Sequence, residues 1–399
     1  PAPAAPAAAP AGGESVAFAD EAGVTVTTTV SVEAVVEVEE RRDLDAFQAP
    51  PPARLLTAAT VGDHDRRGNY LSYLARHAYE AQRLGLDMGR RQRFVVTDLQ
   101  GSPLREADLV VEGPAGRVVG KTHGDGRWDY FPGLAGQRAQ GPALVTVRAG
   151  GATQRLQVQL PAQGDGPDVV VRLPVQPPGR AQRLDLAFLI DVTGSMEDEL
   201  RYVNQEVVGI VERIRGAHPE VAVRVGAVFY RDRSDREPLQ RIRLTRDAQG
   251  FAQAMRGVHA SGGGDYPEDL HAGLETAVRG LRWRADAARV LVVIADAPPQ
   301  RYPTRFGHRE AMLEASARGI RLLPVAASGA DREVEFLFRA MATATGTPYV
   351  YLTDDSGVGN RHMEADTDRV AVEYFHDALT RLIRSELLGE GMHEPPGFG

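Results

Sequence analysis

The chain has 399 residues, 43% of them hydrophobic and 25% charged, which is globular composition and leaves room for roughly two or three domains. Acidic residues outnumber basic ones by 54 to 46, and the formal charge of −8 argues against a chain-wide cationic surface for nucleic acid or anionic lipid. Cysteine is absent, which excludes disulfides, thiolate metal sites and thiol nucleophiles. Lys121 is the only lysine, so no phosphate-binding Gly-Lys loop and no Schiff-base lysine lies after it.

The first 53 residues predict a flexible tether followed by an extended arm. Residues 1–13 are almost entirely Pro, Ala and Gly, and residues 24–39 alternate Val with polar side chains. No run in the chain reaches the roughly 18 apolar residues of a membrane span. Because a Pro/Ala tether often follows a signal or lipid-attachment sequence, we expect an exported, periplasmic or cell-surface protein. A lipid anchor upstream of Pro1 and a cytoplasmic location both stay open.

Residues 54–178 divide into a helical connector and a small β domain. In the connector, residues 54–90, apolar side chains recur at helical spacing from Asn69 to Leu84. Residues 91–178 contain short strand-like runs separated by Gly- and Pro-containing turns, which predict a β-sandwich. The order VTDLQGSPLREADLVVEG and then THGDGRWDYFP resembles the prealbumin-like β-sandwich modules found beside bacterial carboxypeptidases and surface proteins. That resemblance implies a spacer or a binding support without a catalytic set.

Residues 184–390 alternate apolar strands with amphipathic helices, and residues 391–399 form a tail. The predicted strands are 184–190, 221–230, 239–244, 290–295, 320–326 and 349–352. The predicted helices are one that contains residues 200–210, then 270–281, 309–317, 333–344 and 371–388. Continuous apolar strands between helices indicate an α/β fold with an open, mostly parallel, doubly wound sheet.

Oxygen-bearing side chains follow the ends of these strands, where open α/β sheets bind ligands. One group comes directly after the strand at 184–190, one aspartate follows the strand at 290–295, and a glycine-rich loop at 261–269 adds another. The five candidate metal ligands are Asp191, Thr193, Ser195, Asp265 and Asp296. Glu268 and Asp269 are the alternative ligands from the loop. Hard oxygen donors without nearby imidazole or sulfur favour Mg²⁺, Mn²⁺ or Ca²⁺ over Zn²⁺ or copper.

The spacing Asp191-x-Thr193-x-Ser195 resembles the D-x-[ST]-x-S signature of von Willebrand factor type A domains, which carry a metal-ion-dependent adhesion site. A bacterial branch of that family is similar in five ordered motifs, at residues 191–196, 230–233, 262–269, 294–299 and 352–359. The resemblance implies one cation, Mg²⁺ first and Mn²⁺ or Ca²⁺ as alternatives, held by the five candidate ligands. It also implies a protein or peptide partner that presents an Asp or Glu carboxylate, and no catalysis.

Two other functions stay open at this point. The segment from Asp191 to Ser195 also resembles the D-K-T-G-T motif of haloacid-dehalogenase-type phosphotransferases, in which the aspartate is the nucleophile. Against that, no lysine follows Asp191, and Thr193 replaces the general acid. A domain of the adhesion type can also serve inside a chaperone or chelatase complex. Elsewhere, Arg231 and Arg233 are expected on a solvated hairpin, and each of the ten histidines is expected to be structural.

Overall fold

The computed structural model describes residues 55–113, 116–136, 141–264, 266–359 and 361–395. The predicted tether and arm, the end of the tail and the candidate ligand Asp265 lie outside these ranges. The described residues all belong to one compact unit, Ala53–Gly399.

Strands and helices are numbered in chain order. The strands are β1 (Thr57–Val61), β2 (Gln92–Asp98), β3 (Asp108–Gly113), β4 (Gly116–Lys121), β5 (Arg127–Tyr130), β6 (Pro142–Ala149), β7 (Ala152–Gln159), β8 (Val169–Leu173), β9 (Arg183–Asp191), β10 (Ala222–Tyr230), β11 (Leu239–Thr245), β12 (Ala288–Ala295), β13 (Ile320–Ala326), β14 (Tyr349–Leu352) and β15 (Val372–Tyr374). The helices are α1 (Arg67–Arg76), α2 (Ala78–Leu84), α3 (Glu197–Ala217), α4 (Ala248–Arg256), α5 (Leu270–Glu275), α6 (His308–Arg318), α7 (Arg332–Ala344) and α8 (Phe375–Leu388).

The largest sheet in the described part of the chain has eight strands in the order β11-β10-β9-β12-β13-β14-β1-β15. The five strands from β10 to β14 in that order run parallel to one another. The edge strand β11 pairs antiparallel with β10, and β1 pairs antiparallel with both β14 and β15. Strands β9, β12 and β13 are almost entirely buried, because helices and loops cover both faces. The α/β sheet predicted for this region is therefore present, and it is mostly parallel.

Helix α3 shows how the sequence directs the packing of this sheet. Its apolar residues recur every three or four positions, and that face is buried against the sheet. The buried side chains include Leu200, Val203, Val207, Ile210 and Ile214. Among the described residues, no helix combines the length and the apolar character that crossing a membrane requires.

Two smaller sheets lie between α2 and β9 in the chain. One has the order β5-β2-β8, the other β4-β3-β6-β7, and they share a buried apolar cluster that includes Phe94, Trp128 and Val145. The Trp128 Nε1–H donates a hydrogen bond to the Ser316 hydroxyl on α6 at 2.7 Å. These sheets are therefore attached to the large sheet through a helix that covers it.

Three segments differ from the sequence-based expectations. The helix expected over Asn69–Leu84 is interrupted at His77 and forms α1 and α2. The segment predicted as a helical connector also supplies β1, which pairs with β14 inside the large sheet. Residues 372–374, predicted as the start of the last helix, instead form strand β15, because β1 offers its other backbone edge to them. Helix α4 was not predicted.

Candidate functional site

Strand β9 ends at Asp191, and the chain turns at once through Thr193 and Ser195 into α3. Asp191 Oδ1 accepts hydrogen bonds from the Thr193 backbone N–H at 2.9 Å and from the Thr193 hydroxyl at 2.7 Å. The Thr193 and Ser195 hydroxyl oxygens are 3.1 Å apart. Asp191 is fully buried, and its Oδ2 makes no hydrogen bond within the described part of the chain. The turn therefore brings one carboxylate and two hydroxyls together at the carboxyl end of β9.

Asp296 brings a second carboxylate to the same edge of the sheet, because it directly follows β12, the parallel neighbour of β9. It is buried, and its Oδ1 also lacks a hydrogen bond among the described residues. Burial and the negative charge of Asp191 raise the pKa of Asp296 to about 7, although a hydrogen bond from Ser195 opposes this. Burial also raises the pKa of Asp191 to about 6, against the hydrogen bonds from Thr193. Ionising either carboxyl group therefore costs more free energy in the folded protein than in water.

The glycine-rich loop lies against the turn that follows β9. The Ser261 N–H donates to the Val192 carbonyl at 3.0 Å, and the Gly194 N–H donates to the Gly262 carbonyl at 3.0 Å. Gly263 has a φ of +72°, and a Cβ there would lie 2.7 Å from Glu268 Oε1. Only glycine combines that backbone conformation with so close an approach. The glycine at position 263 therefore allows the loop to pack closely against the candidate ligand Thr193.

The acidic residues of this loop have different environments. Asp265, the predicted ligand, lies outside the described residues. Of the two alternatives, Asp269 caps α5 by accepting from the Ala272 N–H at 3.3 Å and pairs with Arg233 at 2.8 Å. Glu268 is buried and approaches Gly263, next to Thr193. Asp269 thus has a structural role, whereas Glu268 lies beside the candidate site.

The position of Arg231 corrects the expectation of a solvated hairpin face. Its side chain is buried and donates hydrogen bonds to the carbonyls of Ser261 at 2.8 Å, His259 at 2.9 Å and Glu237 at 3.1 Å. These bonds compensate for burial of the guanidinium and fix the start of the glycine-rich loop. Arg231 is therefore a positioning residue for the site.

A family model described as "von Willebrand factor A domain" matches residues 185–357. This range starts in β9, ends after β14, and includes the Asp191 turn, the glycine-rich loop and Asp296. Residues 185–357 form a von Willebrand factor A domain. We call this range the vWA domain.

One curated protein and one solved structure are similar to parts of the chain. Alpha-protein kinase vwkA of Dictyostelium discoideum is 30% identical over 118 residues, which cover 29% of this chain. That match spans only 18% of the length of the kinase. Proximal thread matrix protein 1 from the mussel byssus is 14% identical, with a TM-score of 0.35 over 52% of this chain and 46% of the mussel protein.

A chain of polar contacts, buried at Glu199 and His362, adjoins the site in the vWA domain. Glu199, on the first turn of α3, accepts from the Ser328 N–H at 3.1 Å and lies 2.5 Å from His362 Nε2. On its other side, His362 Nδ1 lies 2.8 Å from Asp354 Oδ1. Burial lowers the pKa of His362, but the two carboxylates outweigh that effect and raise it. No sequence pattern indicated this contact, because 163 residues separate His362 from Glu199.

A cavity of about 530 Å³ opens next to these residues, and its lining includes Arg332, Arg361 and His362. The lining also contains Gly329, at which a Cβ would lie 3.3 Å from Asp296 Oδ2. The cavity therefore reaches Asp296 at Gly329, and its lining carries both basic groups and the acids Asp354 and Glu364.

Proposed function

We propose that the vWA domain binds a partner through one divalent cation held by its strand-end oxygen ligands, with Mg²⁺ as the expected ion. These ligands are Asp191, Thr193, Ser195, Asp265 and Asp296. The observation that carries the proposal is the pair of buried carboxylate oxygens, Asp191 Oδ2 and Asp296 Oδ1, without hydrogen bonds in the described structure. Such acceptors are costly to bury, and a cation between two carboxylates both satisfies them and cancels their repulsion.

The donor set supports a hard ion. Carboxylates and hydroxyls are the ligands that Mg²⁺ takes, together with water molecules that it gives up reluctantly. Mn²⁺ and Ca²⁺ accept the same donors and are the alternatives. No imidazole is among the proposed ligands, which argues against zinc at this position.

The proposed partner is a protein or peptide that contributes an Asp or Glu carboxylate. Gly194 and Ser195 are exposed, so the outer side of the site opens to solvent and a carboxylate could replace a water on the ion. The adjoining cavity is lined by Arg332 and Arg361 but also by Asp354 and Glu364, so the cation itself would select the acidic group of the partner. We infer an adhesion or scaffold role, and a subunit role in a chaperone- or chelatase-type complex would use the same site with a different partner.

The phosphotransferase alternative has less support. A nucleophilic aspartate must reach its substrate, whereas Asp191 is fully buried and one of its oxygens already binds Thr193. We therefore propose binding without catalysis. We also infer that the two smaller sheets are a prealbumin-like β-sandwich that supports the vWA domain, and that the protein is exported, as the Pro/Ala-rich segment suggests.

Titration of Mn²⁺, followed by calorimetry and electron paramagnetic resonance, tests the cation site. We expect one Mn²⁺ per chain that Mg²⁺ displaces, and at least tenfold weaker binding of that ion in Asp191→Ala and Asp296→Asn. Asp355→Asn is the matched control, because Asp355 is an exposed acid nearby. Equal binding by all four proteins would refute the assignment.

The partner is tested on the Mn²⁺-loaded protein with a short glutamate-containing peptide. We expect the peptide to change the resonance spectrum of bound Mn²⁺, and a matched glutamine-containing peptide to leave it unchanged. Identical responses to the two peptides would contradict a carboxylate ligand. Phosphatase activity that disappears in Asp191→Asn would instead support the phosphotransferase alternative.

A further inference from the structure

Two histidines and an aspartate from distant parts of the chain meet at one point outside the vWA domain. His64 and Asp65 lie in the turn after β1, and His393 lies in the segment after α8. Their ligand atoms are all within 4.8 Å of one another. Asp65 Oδ2 is 2.6 Å from His393 Nδ1 and 3.3 Å from His64 Nε2. One carboxylate oxygen thus faces a nitrogen of each imidazole.

The orientation of the His393 ring is fixed by a backbone carbonyl. Its Nε2 lies 3.0 Å from the Glu390 carbonyl oxygen, which can only accept, so Nε2 carries a proton. In the neutral ring Nδ1 then presents a lone pair to the Asp65 carboxylate. A positive species, either a proton or a metal ion, has to lie between them. Metal-binding histidines have this arrangement, in which the second ring nitrogen donates to a carbonyl.

His64 lacks the hydrogen bonds that a buried histidine normally makes. It is 6% exposed, and neither ring nitrogen has a hydrogen-bond partner among the described residues. Its backbone is nevertheless held firmly, because its carbonyl accepts from Arg91 at 2.9 Å and from Arg93 at 3.1 Å. Both arginines also bind Asp129, which offsets their charge. A rigidly placed, buried imidazole that contacts Asp65 but makes no hydrogen bond among the described residues is therefore available to a further ligand.

We propose that His64, Asp65 and His393 bind a divalent transition ion, zinc in the first instance, at a second metal site independent of the vWA cation. Two imidazole nitrogens and one carboxylate oxygen are a donor set for zinc, whereas Mg²⁺ takes oxygen. The side chains of Asp65 and His393 are 32% and 41% exposed, so water can supply the fourth ligand.

The ion would join the turn after β1 to the segment after α8. That contact already exists without metal, because Glu394 Oε1 accepts from the Gly62 N–H at 2.5 Å and from Arg66 at 2.6 Å. The site is thus assembled from two segments that are held together independently, and the ligands need only small movements. The metal would strengthen the attachment of β1, and with it one edge of the large sheet.

The test is zinc retention by the full chain after dialysis in excess Mg²⁺, which occupies the vWA site. We expect one zinc per chain in the wild type and at least a tenfold loss of affinity in Asp65→Asn and His393→Gln. Two controls should retain zinc: His259→Gln, which changes an exposed histidine, and Asp191→Ala, which removes the proposed vWA ligand.

Substitution of zinc by Co²⁺ provides a readout that does not depend on the variants. A tetrahedral site with nitrogen ligands gives visible absorption bands, which we expect in the wild type and in Asp191→Ala. Metal-free melting curves show whether each variant folds, and if one does not, the other carries the test. Absence of zinc from the wild type, or equal retention by Asp65→Asn and His393→Gln, would overturn the proposal. Loss of zinc in Asp191→Ala alone would assign the zinc to the vWA site.

Discussion

Strand β9 carries a fully buried aspartate near each end, and the two have opposite surroundings. Asp185, at the amino end, accepts from Arg224 at 2.9 and 2.5 Å and from the Arg284 side chain at 2.9 Å. It also accepts from the Arg284 backbone N–H at 2.7 Å. Asp191, at the carboxyl end, has hydrogen bonds from Thr193 on one oxygen and none on the other within the described residues.

This difference separates an aspartate that stabilises the fold from one that is suited to bind a ligand. The charge of Asp185 is neutralised by arginines of the same chain, so its carboxylate does not require a bound cation. Asp191 lies beside a second acid, Asp296, and burial raises the pKa of both. A buried acid without its own counter-ion is typical of a functional site.

Asp185→Ala should have the largest effect of the substitutions considered, because it leaves two partly buried guanidinium groups without their counter-ion. We expect the free energy of unfolding, from urea denaturation, to fall by about 3 kcal/mol or more. Asp286→Asn is the control, since its pair with Arg183 is exposed and should contribute less than about 1 kcal/mol. A loss below about 1 kcal/mol in Asp185→Ala would contradict the structural role.

The pH dependence of the free energy of unfolding should reveal the raised pKa of Asp296, beside the carboxyl end of β9. Because the folded-state pKa of Asp296 is about 7, above its ordinary value of 3.8, its contribution favours the fold at low pH and is lost as pH rises through 7. In EDTA, the wild type should therefore lose on the order of 2–3 kcal/mol relative to Asp296→Asn between pH 5 and pH 8. Parallel pH profiles for the two proteins in urea denaturation would count against the raised pKa.

Arg231→Gln should weaken metal binding without touching a metal ligand. Loss of its hydrogen bonds to the Ser261 and His259 carbonyls should loosen the glycine-rich loop. Substitution of residues that position metal ligands typically lowers metal affinity by about 10- to 100-fold. We expect a decrease within that range in a Mn²⁺ titration. Arg301→Gln, an exposed control, should bind like the wild type. An unchanged affinity in Arg231→Gln would show that the loop does not depend on this anchor.

The centre of the large sheet could be predicted from the sequence because its signals are local. The apolar runs that became β9, β12 and β13 are buried on both sides of the sheet, so they lack the alternation of an exposed strand. The rule that ligands bind at carboxyl ends of parallel strands then indicated Asp191 and Asp296, which the structure places on adjacent strands. Their metal ligation stays a prediction.

The features that the sequence did not reveal depend on contacts between distant segments. Strand β1 pairs with β14 almost 300 residues later in the chain. Strand β15 was not predicted because its residues Val372 and Tyr374 are exposed, so no buried apolar pattern marks the strand. Arg231 looked like a surface residue because its partners are backbone carbonyls, which carry no sequence signal. His64 and His393 were expected to be structural for the same reason, since no short motif connects them.

Thermal melting of the wild type and Asp191→Asn, with and without saturating Mg²⁺, tests the central claim most directly. Asp191→Asn removes the repulsion with Asp296, so in EDTA it should melt at or above the wild-type temperature. Mg²⁺ at about 100 times its Kd should stabilise the wild type by about 2.7 kcal/mol and leave Asp191→Asn unchanged. An equal response of both proteins to Mg²⁺, or no response of the wild type, would contradict a cation site at the end of β9.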